Sequence, residues 1–308
     1  SYFILHKNFV NSDNEVGKSG QNKFLIMFAI SLVGIVLAYG LGLLLKNPAL
    51  SKIILFSVAG VVFIIFFTLR SYLNDFERKG MMIAFILLVQ SIFFWVMYMQ
   101  MSTSLTLFAV HNVRNDVFGF VIPPEVTQSF NPFYIFLLSP ILASIYVRSE
   151  HKKAPISIPA KFAFGMLVCG LAYVLLALSC FLSDANSTIS LVWLFLGYGL
   201  YSLGELLISA IGLSMVSKLM PLRLGGFAQA VWFVTTAIGM KLGGMLAGFG
   251  GVDESKVTSN ADVLHGYQAL FAYIGIGATV FALILFIFVK PLAKAMRDVM
   301  ELKAQAAE

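Results

Sequence analysis

One stretch of the sequence, residues 189–216, runs for 28 mostly apolar positions and carries a single formal charge, Glu205. A helix of ~20 apolar residues crosses the hydrocarbon core of a bilayer, so this stretch is long enough to span a membrane. At ~1.5 Å per residue, Glu205 lies ~24 Å from one end and ~17 Å from the other, close to the midplane. The polar and small residues of the stretch recur at three- and four-residue steps and share one helical face: Tyr201, Ser202, Glu205, Ser209 and Gly212.

The carboxylate of Glu205 is energetically unfavourable at that depth. Its insertion into the bilayer costs roughly 3 kcal/mol of free energy unless the group faces water or a partner. An intramembrane acid is therefore a functional hypothesis by default, with substrate binding and proton coupling as its two common roles. The alternative is a protonated Glu205 that is buried between helices and bonded to a neighbouring hydroxyl.

The remaining sequence repeats this apolar pattern. Seven further apolar segments occupy residues 24–45, 53–69, 81–110, 131–147, 162–182, 227–249 and 269–289. The chain is 59% hydrophobic and 12% charged, whereas about a quarter of the residues in a soluble domain are charged. We therefore predict an all-α polytopic membrane protein with eight transmembrane helices.

The basic residues indicate the orientation of this predicted protein. With both ends on one side, sixteen of the 21 Lys and Arg residues fall on that side and four on the other. Cytoplasmic loops carry such an excess, so we expect both ends in the cytoplasm. The net charge of +6 is explained in the same way and requires no nucleic-acid partner.

Three other segments carry polar or aromatic residues that are candidates for a binding site. Trp95 and Tyr98 share a helical face and either line a pocket or pack as ordinary aromatic residues. Asn131 either binds a solute near a proline kink or caps its helix. Trp232 either lines the same pocket as Glu205 or packs in the core.

Small residues in two segments are predicted to pack helices closely. In one segment, glycines recur at four-residue spacing in the pairs Gly239/Gly243 and Gly244/Gly248. In another, the two cysteines, Cys169 and Cys180, are expected to be packing residues.

The sequence lacks the motifs of enzymes and metal sites. Its four histidines do not pair with Cys, Asp or Glu at metal-ligand spacing, and no nucleophile elbow, phosphate-binding loop or zinc-protease motif occurs. We predict no metal, no cofactor and no enzymatic activity. Polar residues at the midplane of separate helices are typical of transporters.

The order and spacing of four stretches resemble proton-dependent oligopeptide transporters, within the major facilitator superfamily. These stretches are QSIFFWVMYMQMSTSLTLFAVHNV, SFNPFYIFLLSPILASIY, SLGELLISAIGLSMVSKLMP and GFAQAVWFVTT. The resemblance covers about residues 81–290. It implies a cytoplasmic tether (1–23), an inserted transmembrane hairpin (24–69), a six-helix carboxy-terminal bundle (70–290) and a cytoplasmic tail (291–308), in a bacterial inner membrane.

The resemblance also implies roles for individual residues. Glu205 would pair with the amino end of a bound peptide and take part in proton coupling, and Asn131 would hydrogen-bond the same end or the peptide backbone. The remaining pocket residues would be Trp95, Tyr98, Ser209 and Trp232. Met99 departs from the family pattern, because many relatives carry an acid or amide there that contributes to an outer gate.

The resemblance implies the carboxy-terminal half of a secondary transporter that imports di- and tripeptides with protons by alternating access. Its partners would be those peptides, protons, the lipid bilayer and an amino-terminal six-helix half that is needed for activity. Two alternatives remain. One is a non-transporting membrane scaffold or a half-transporter that pairs with another protein. The other is a transporter of a different amine-bearing solute.

Overall fold

The computed structural model describes residues 20–117, 119–150, 156–250 and 259–305, and almost all of them are helical. The α-helices are α1 (Gly20–Lys46), α2 (Pro48–Ser71), α3 (Asp75–Ser102), α4 (Ser104–His111), α5 (Phe130–Glu150), α6 (Ile158–Ser179), α7 (Leu191–Leu219), α8 (Gly225–Gly250) and α9 (Asn260–Gln305). Short 3-10 helices occupy Pro124–Ser129, Cys180–Leu182 and Leu222–Leu224. The four two-residue strands are β1 (Val113–Arg114), β2 (Asp116–Val117), β3 (Phe120–Val121) and β4 (Ile189–Ser190).

The chain divides into two compact units, residues 1–56 and 57–308. The first unit contains α1 and the first turns of α2, where Met27, Ile30 and Val36 are all exposed. Apolar side chains on such a surface are suited to lipid contact. Helix α1 begins at Gly20, inside the predicted tether (1–23). Residues 1–19 lie outside the described residues, so the tether stays a prediction. The predicted hairpin crosses the division between the units and stays a prediction.

Seven helical stretches in the described residues are long and apolar enough to cross a membrane. They are Pro48–Ser71, Asp75–His111, Pro124–Ser149, Ile158–Leu182, Leu191–Leu219, Gly225–Gly248 and Asn260–Lys303. The described apolar run of α1, Met27–Gly40, is shorter. The prediction of an all-α polytopic membrane protein is confirmed, and the eighth span stays a prediction.

A break at Thr103 interrupts the third predicted span, which the sequence indicated as one helix over residues 81–110. Thr103 has φ −120° and ψ −92°, so α3 ends before it and α4 begins after it. The fully buried Gln100 joins both sides of the break. Its Nε2 donates to the carbonyl oxygen of Gly243 over 2.8 Å, and Ser104 Oγ donates to its Oε1 over 2.7 Å. The break is therefore held against α8 by one side chain.

Glycines of α8 allow α3 to approach closely. A Cβ atom on Gly243 would lie 2.6 Å from the carbonyl oxygen of Val96, and a Cβ on Gly239 would lie 2.8 Å from that of Ile92. In contrast, no heavy atom of the described residues lies within 4 Å of a Cβ built on Gly244 or Gly248. The predicted Gly239/Gly243 step is confirmed, whereas the Gly244/Gly248 step does not face α3, because adjacent helical residues point ~100° apart, and it stays a prediction.

The last helix, α9, is longer than the sequence predicted and continues through Pro291 to Gln305. The predicted span ended at residue 289, before the proline. Lys303 Nζ donates to the carbonyl oxygens of Lys218 and Met220, each over 2.9 Å. A cation at the carboxyl end of α7 satisfies carbonyls that have no partner within the helix. This contact secures the extension of α9 against α7.

The interior of the second unit contains both cysteines as free thiols. Cys169 lies at the contact of α6 with α7, where Gly204 makes room for its sulfur. Nearby, the buried hydroxyl of Tyr173 donates to the carbonyl oxygen of Met97 over 2.8 Å and thereby links α6 to α3. The predicted packing role of the cysteines is confirmed by their burial, with Cys180 3% exposed.

Asn112 ties together three chain segments at one end of the bundle. Its Nδ2 donates to the carbonyl oxygens of Ser187 over 2.9 Å and Asn260 over 3.1 Å. Its own carbonyl oxygen accepts from the amide of Ile189 over 2.8 Å, beside the parallel pairing of β1 with β4. The ends of α4 and α9 and the loop before α7 are therefore held in one arrangement.

Candidate functional site

Glu205 lies at the centre of α7, fourteen residues from each helix end, and is 9% exposed. Its Oε2 accepts a hydrogen bond from Asn131 Nδ2 over 2.7 Å. The same Nδ2 donates to Ser202 Oγ over 3.0 Å, and Ser202 Oγ donates to the carbonyl oxygen of Tyr198 over 2.8 Å. The structure therefore brings the predicted acid and the predicted amide together, from separate helices.

Asn131 does not cap its helix. Helix α5 begins at Phe130 and follows directly on the 3-10 helix Pro124–Ser129, so Asn131 lies within the helical chain. Its side chain is 6% exposed and points across to α7, where it makes the two hydrogen bonds. The capping alternative is wrong, because the amide is used between helices.

Glu205 has no cation beside it among the residues that the structure describes. The salt bridges found there are Arg78–Asp75, Arg114–Asp184 and Arg223–Glu77, and none involves Glu205. The Asn131 amide is likewise its sole hydrogen-bond donor within that part of the chain. A carboxylate of this kind is half-satisfied, and it retains acceptor capacity for a positive group or a proton.

An aromatic cluster connects the face of Glu205 to α3. Tyr201, one turn before Glu205, lies with its ring centroid 6.3 Å from that of Tyr98 and 6.0 Å from that of Phe94. Tyr98 is edge-on to Trp95 at 5.2 Å. The hydroxyl of Tyr201 and the Nε1 of Trp95 are both buried and have no hydrogen-bond partner within the described residues. These two polar atoms leave the cluster with unused hydrogen-bonding capacity.

Trp232 on α8 extends this cluster from Trp95. Its ring lies 6.4 Å from that of Trp95, edge to face. The ring also packs directly on Gly212 of α7, at a distance that leaves no space for a Cβ atom. Trp232 is 4% exposed, so it packs in the core, and its contact with a ligand stays a prediction.

Two further positions from the sequence analysis lie next to this region. Ser209 is half-buried one turn after Glu205 on α7. Met99 on α3 packs against Gly243 of α8, and its sulfur lies 3.9 Å from Ser102 Oγ. A thioether carries no charge, so Met99 cannot form an ion pair.

Sequence reasoning left two residues out of the site that the structure ties to it. Ser202 accepts the second hydrogen bond of Asn131, and its place on the polar face of the helix was the available signal. Gln100 was not among the candidate site residues, yet it holds α3 against α8. Its burial depends on helix packing that no local pattern indicates.

Metal binding finds no support in the described ranges 20–117, 119–150, 156–250 and 259–305. No group of three or more His, Cys, Asp or Glu side chains is placed there to hold a metal ion.

The geometry defines a class of membrane protein. A buried acid at the middle of one span, bonded to an amide from another and adjoining an aromatic cluster, is the kind of midplane site that secondary transporters use. Comparison with known proteins agrees. The family model PTR2, described as the POT family, matches residues 44–261. The chain belongs to the POT family.

Curated relatives carry the names of peptide permeases, which are not enzymes, in agreement with the prediction. Dipeptide and tripeptide permease A of Yersinia pestis is 37% identical over 267 residues, which are 86% of this chain and 52% of the permease. Dipeptide and tripeptide permease B of Salmonella typhimurium is 37% identical over 254 residues, covering 82% and 52%. The chain thus spans about half the length of the curated relatives it matches.

Solved structures give the same answer for the fold. One, of a bacterial homologue of the human drug peptide transporters PepT1 and PepT2, matches with a TM-score of 0.73 and 31% identity, covering 97% of this chain and 60% of that one. Another, from work on substrate recognition in proton dependent oligopeptide transporters, has a TM-score of 0.72 and 31% identity, covering 91% and 56%. The predicted fold class and family are confirmed.

Proposed function

We propose that this chain is the carboxy-terminal half of a secondary transporter that imports di- and tripeptides together with protons by alternating access. The observation that carries the proposal is Glu205, a carboxylate at the middle of α7 that is held by Asn131 and lacks a cation in the described part of the chain. The names of the curated relatives support the substrate class. Because the chain covers 52% of the Yersinia pestis permease, the proposed partner is an amino-terminal six-helix half.

The amino end of a peptide is the group that the Glu205 carboxylate fits. An ammonium group needs a negative partner, and two unit charges 4 Å apart attract by about 1 kcal/mol in water and about 4 kcal/mol at an effective dielectric constant of 20. Asn131 bonds Oε2, so Oε1 is left for the ligand. The amide thus orients the carboxylate while the ligand supplies the missing charge.

The same carboxylate couples the peptide to a proton. An ionised Glu205 attracts the ammonium group, whereas a protonated Glu205 carries no charge to attract it. Protonation of Glu205 therefore weakens its hold on the peptide amine, so arrival of the proton favours release of the peptide. Because one carboxylate cannot hold the proton and the ammonium group at once, co-import also needs a second proton-accepting group, which we place in the proposed amino-terminal half.

The rest of the proposed pocket surrounds this acid. Ser209 continues the Glu205 face by one turn, and Tyr98 is half-buried at the edge of the aromatic cluster. Trp95 and Trp232 form the wall behind Tyr98. Aromatic rings give apolar contact to peptide side chains without a demand for one particular shape.

The proposed location is a bacterial inner membrane, with both ends of the chain in the cytoplasm. The sixteen-to-four distribution of Lys and Arg supports that orientation. In the proposed organisation, residues 24–69 form an inserted hairpin, residues 70–290 form the six-helix bundle, and the flanking segments are cytoplasmic.

Uptake by the complete transporter in proteoliposomes tests the proposal. We expect Glu205→Gln to reduce proton-driven dipeptide uptake by at least tenfold, because glutamine has neither the charge nor the proton. Glu301→Gln removes an exposed carboxylate from α9 and is the matched control, with uptake unchanged. Equal uptake by the Glu205→Gln and control proteins would contradict the proposal.

A structural role for the acid is the second candidate, and the Asn131–Glu205 hydrogen bond favours it. In a scaffold, or in a half-transporter paired with another protein, that bond would simply join α5 to α7. Glu205→Gln would then lower thermal stability without changing the response to any ligand. A transporter of another amine-bearing solute would instead lose binding in Glu205→Gln but show no response to dipeptides.

A further inference from the structure

A long groove lies between α3 and α9, away from Glu205. It has a volume of about 790 Å³. Its two walls are apolar and come chiefly from Met82, Ile83 and Ile86 on α3 and from Leu285, Phe288 and Leu292 on α9. Ile86 is 44% exposed and Phe288 is 55% exposed, so the groove opens sideways rather than into the core. In a membrane-spanning helix pair, that opening faces the hydrocarbon region.

Cationic residues surround one end of the groove. Arg70, Arg78 and Lys79 line it there, together with Asp75 and Asp298. Arg78 bonds the carbonyl oxygen of Ser71 over 2.9 Å and lies 3.9 Å from Asp75. This end therefore carries three cations against two carboxylates.

Among these three cations, Arg70 has the most hydrogen-bond donors without an acceptor. It is half-buried, and its side chain makes no hydrogen bond or ion pair within the described residues. The Nε atoms of Arg70 and Arg78 are both buried without an acceptor there. Each guanidinium has five N–H donors, and phosphate oxygens are among the acceptors that fit them best.

The depth of the groove matches one leaflet of a bilayer. From Lys79 at the charged end to Gln90 at the closed end, α3 rises ~16 Å at ~1.5 Å per residue. Half of a hydrocarbon core of ~30 Å is ~15 Å. The charged end therefore falls at headgroup depth while the apolar walls extend along a single acyl chain.

We propose that this groove binds a membrane glycerophospholipid, with its phosphate at Arg70 and Arg78 and one acyl chain between α3 and α9. Basic pockets between transmembrane helices are known to hold lipid headgroups. The groove is separate from the proposed peptide site. Lipid binding can therefore be measured whether or not peptide transport is confirmed.

Native mass spectrometry of the complete, delipidated transporter tests this binding, with palmitoyl-oleoyl phosphatidylglycerol as the probe. We expect Arg70→Gln/Arg78→Gln to weaken retention of the first bound lipid at least fivefold. Arg148→Gln/Arg297→Gln removes two exposed guanidinium groups that do not line the groove and should bind as the parent does. Diacylglycerol, which has the chains without the phosphate, should not be retained.

A second variant keeps the charged residues of the groove and blocks the space between its apolar walls. Ile86→Trp places a large ring in the exposed wall and should also weaken phosphatidylglycerol retention, with the thermal unfolding temperature close to that of the parent. Equal retention by the parent, the Arg70→Gln/Arg78→Gln protein and the Ile86→Trp protein would overturn the proposal. That result would mean that the retained lipid binds elsewhere on the protein.

Discussion

Asn131 and Glu205 are joined by a hydrogen bond of 2.7 Å between an amide on α5 and a carboxylate on α7. The two residues are 74 positions apart in the chain, so the bond forms only when α5 packs against α7. The bond fixes the orientation of the one acid in the middle of α7. The orientation of the Glu205 carboxylate therefore depends on the Asn131 amide, which can be replaced by mutation while Glu205 is kept.

Replacement of Asn131 by alanine is expected to weaken peptide binding and to destabilise the fold. Hydrogen bonds to charged groups contribute about 1.5–3 kcal/mol, so a comparable loss of unfolding free energy is expected. In titrations of the complete protein, we expect the dipeptide dissociation constant to rise about tenfold, as a loss of ~1.4 kcal/mol of binding free energy would produce. Asn186→Ala, at an exposed loop position, is the control. An unchanged dissociation constant in Asn131→Ala would show that the amide does not orient the acid.

A pair of neighbouring glycines in α8 offers a sharp test of the helix packing. Gly243→Ala places a methyl group 2.6 Å from the carbonyl oxygen of Val96, whereas Gly244→Ala places one where no heavy atom of the described residues lies within 4 Å. Overpacking of this kind costs about 1–3 kcal/mol. We expect a lower thermal unfolding temperature for Gly243→Ala and no decrease for Gly244→Ala. Similar decreases in both proteins would contradict the described face of α8.

Gln100 is expected to be a stabilising residue at the break between α3 and α4. Gln100→Leu removes the donor to the carbonyl oxygen of Gly243 and leaves the Ser104 hydroxyl without its acceptor. A buried polar group without a partner costs about 1–3 kcal/mol, so the thermal unfolding temperature should fall. Gln128→Leu removes an exposed hydrogen bond to Thr106 and is the control. Equal unfolding temperatures for the Gln100→Leu and parent proteins would contradict this role.

Asp184, in the loop between α6 and α7, provides a prediction about pH. Hydrogen bonds from the backbone and side chain of Thr188 lower the pKa of its carboxyl from the usual value of 3.8, with smaller contributions from Asn186 and Arg114. The stability that this carboxylate contributes is therefore present above pH 3.8 and lost as the pH falls through the lowered pKa.

Carbon NMR of the labelled carboxyl measures this shift directly. The expected midpoint lies below 3.8 in the parent protein. It should move towards that value in Thr188→Val, which lacks the hydroxyl that donates to Asp184 Oδ2 over 2.8 Å. A midpoint at or above the usual value in the parent would show that the loop does not hold the ionised carboxylate.

The sequence predicted the parts of this protein that depend on one helix at a time. Apolar length identified the spans, and the position of Glu205 within its segment indicated its depth. Asn131 was a candidate because it lies beside a proline, and the resemblance of short motifs implied its role at the amino end of a peptide. Neighbouring residues encode these features, so the sequence alone predicts them.

Relationships between helices were harder to predict. The Gly239/Gly243 and Gly244/Gly248 steps have the same spacing, and only the rotation of α8 decides which of them meets α3. The predicted span ended at residue 289, but the contact of Lys303 with α7 lies fourteen residues further on. Helix rotation and distant contacts are set by tertiary packing, which local propensity does not report.

The most direct test of the role of Glu205 is thermal unfolding of the complete protein. The unfolding temperature is measured with a free dipeptide and with the same dipeptide acetylated at its amine. A ligand that binds the folded state stabilises it by about 2.7 kcal/mol at one hundred times its dissociation constant. We expect a rise in unfolding temperature with the free dipeptide that disappears on acetylation and in Glu205→Gln. An equal rise with the acetylated dipeptide, or with the free dipeptide in Glu205→Gln, would contradict a Glu205 that holds the peptide amine.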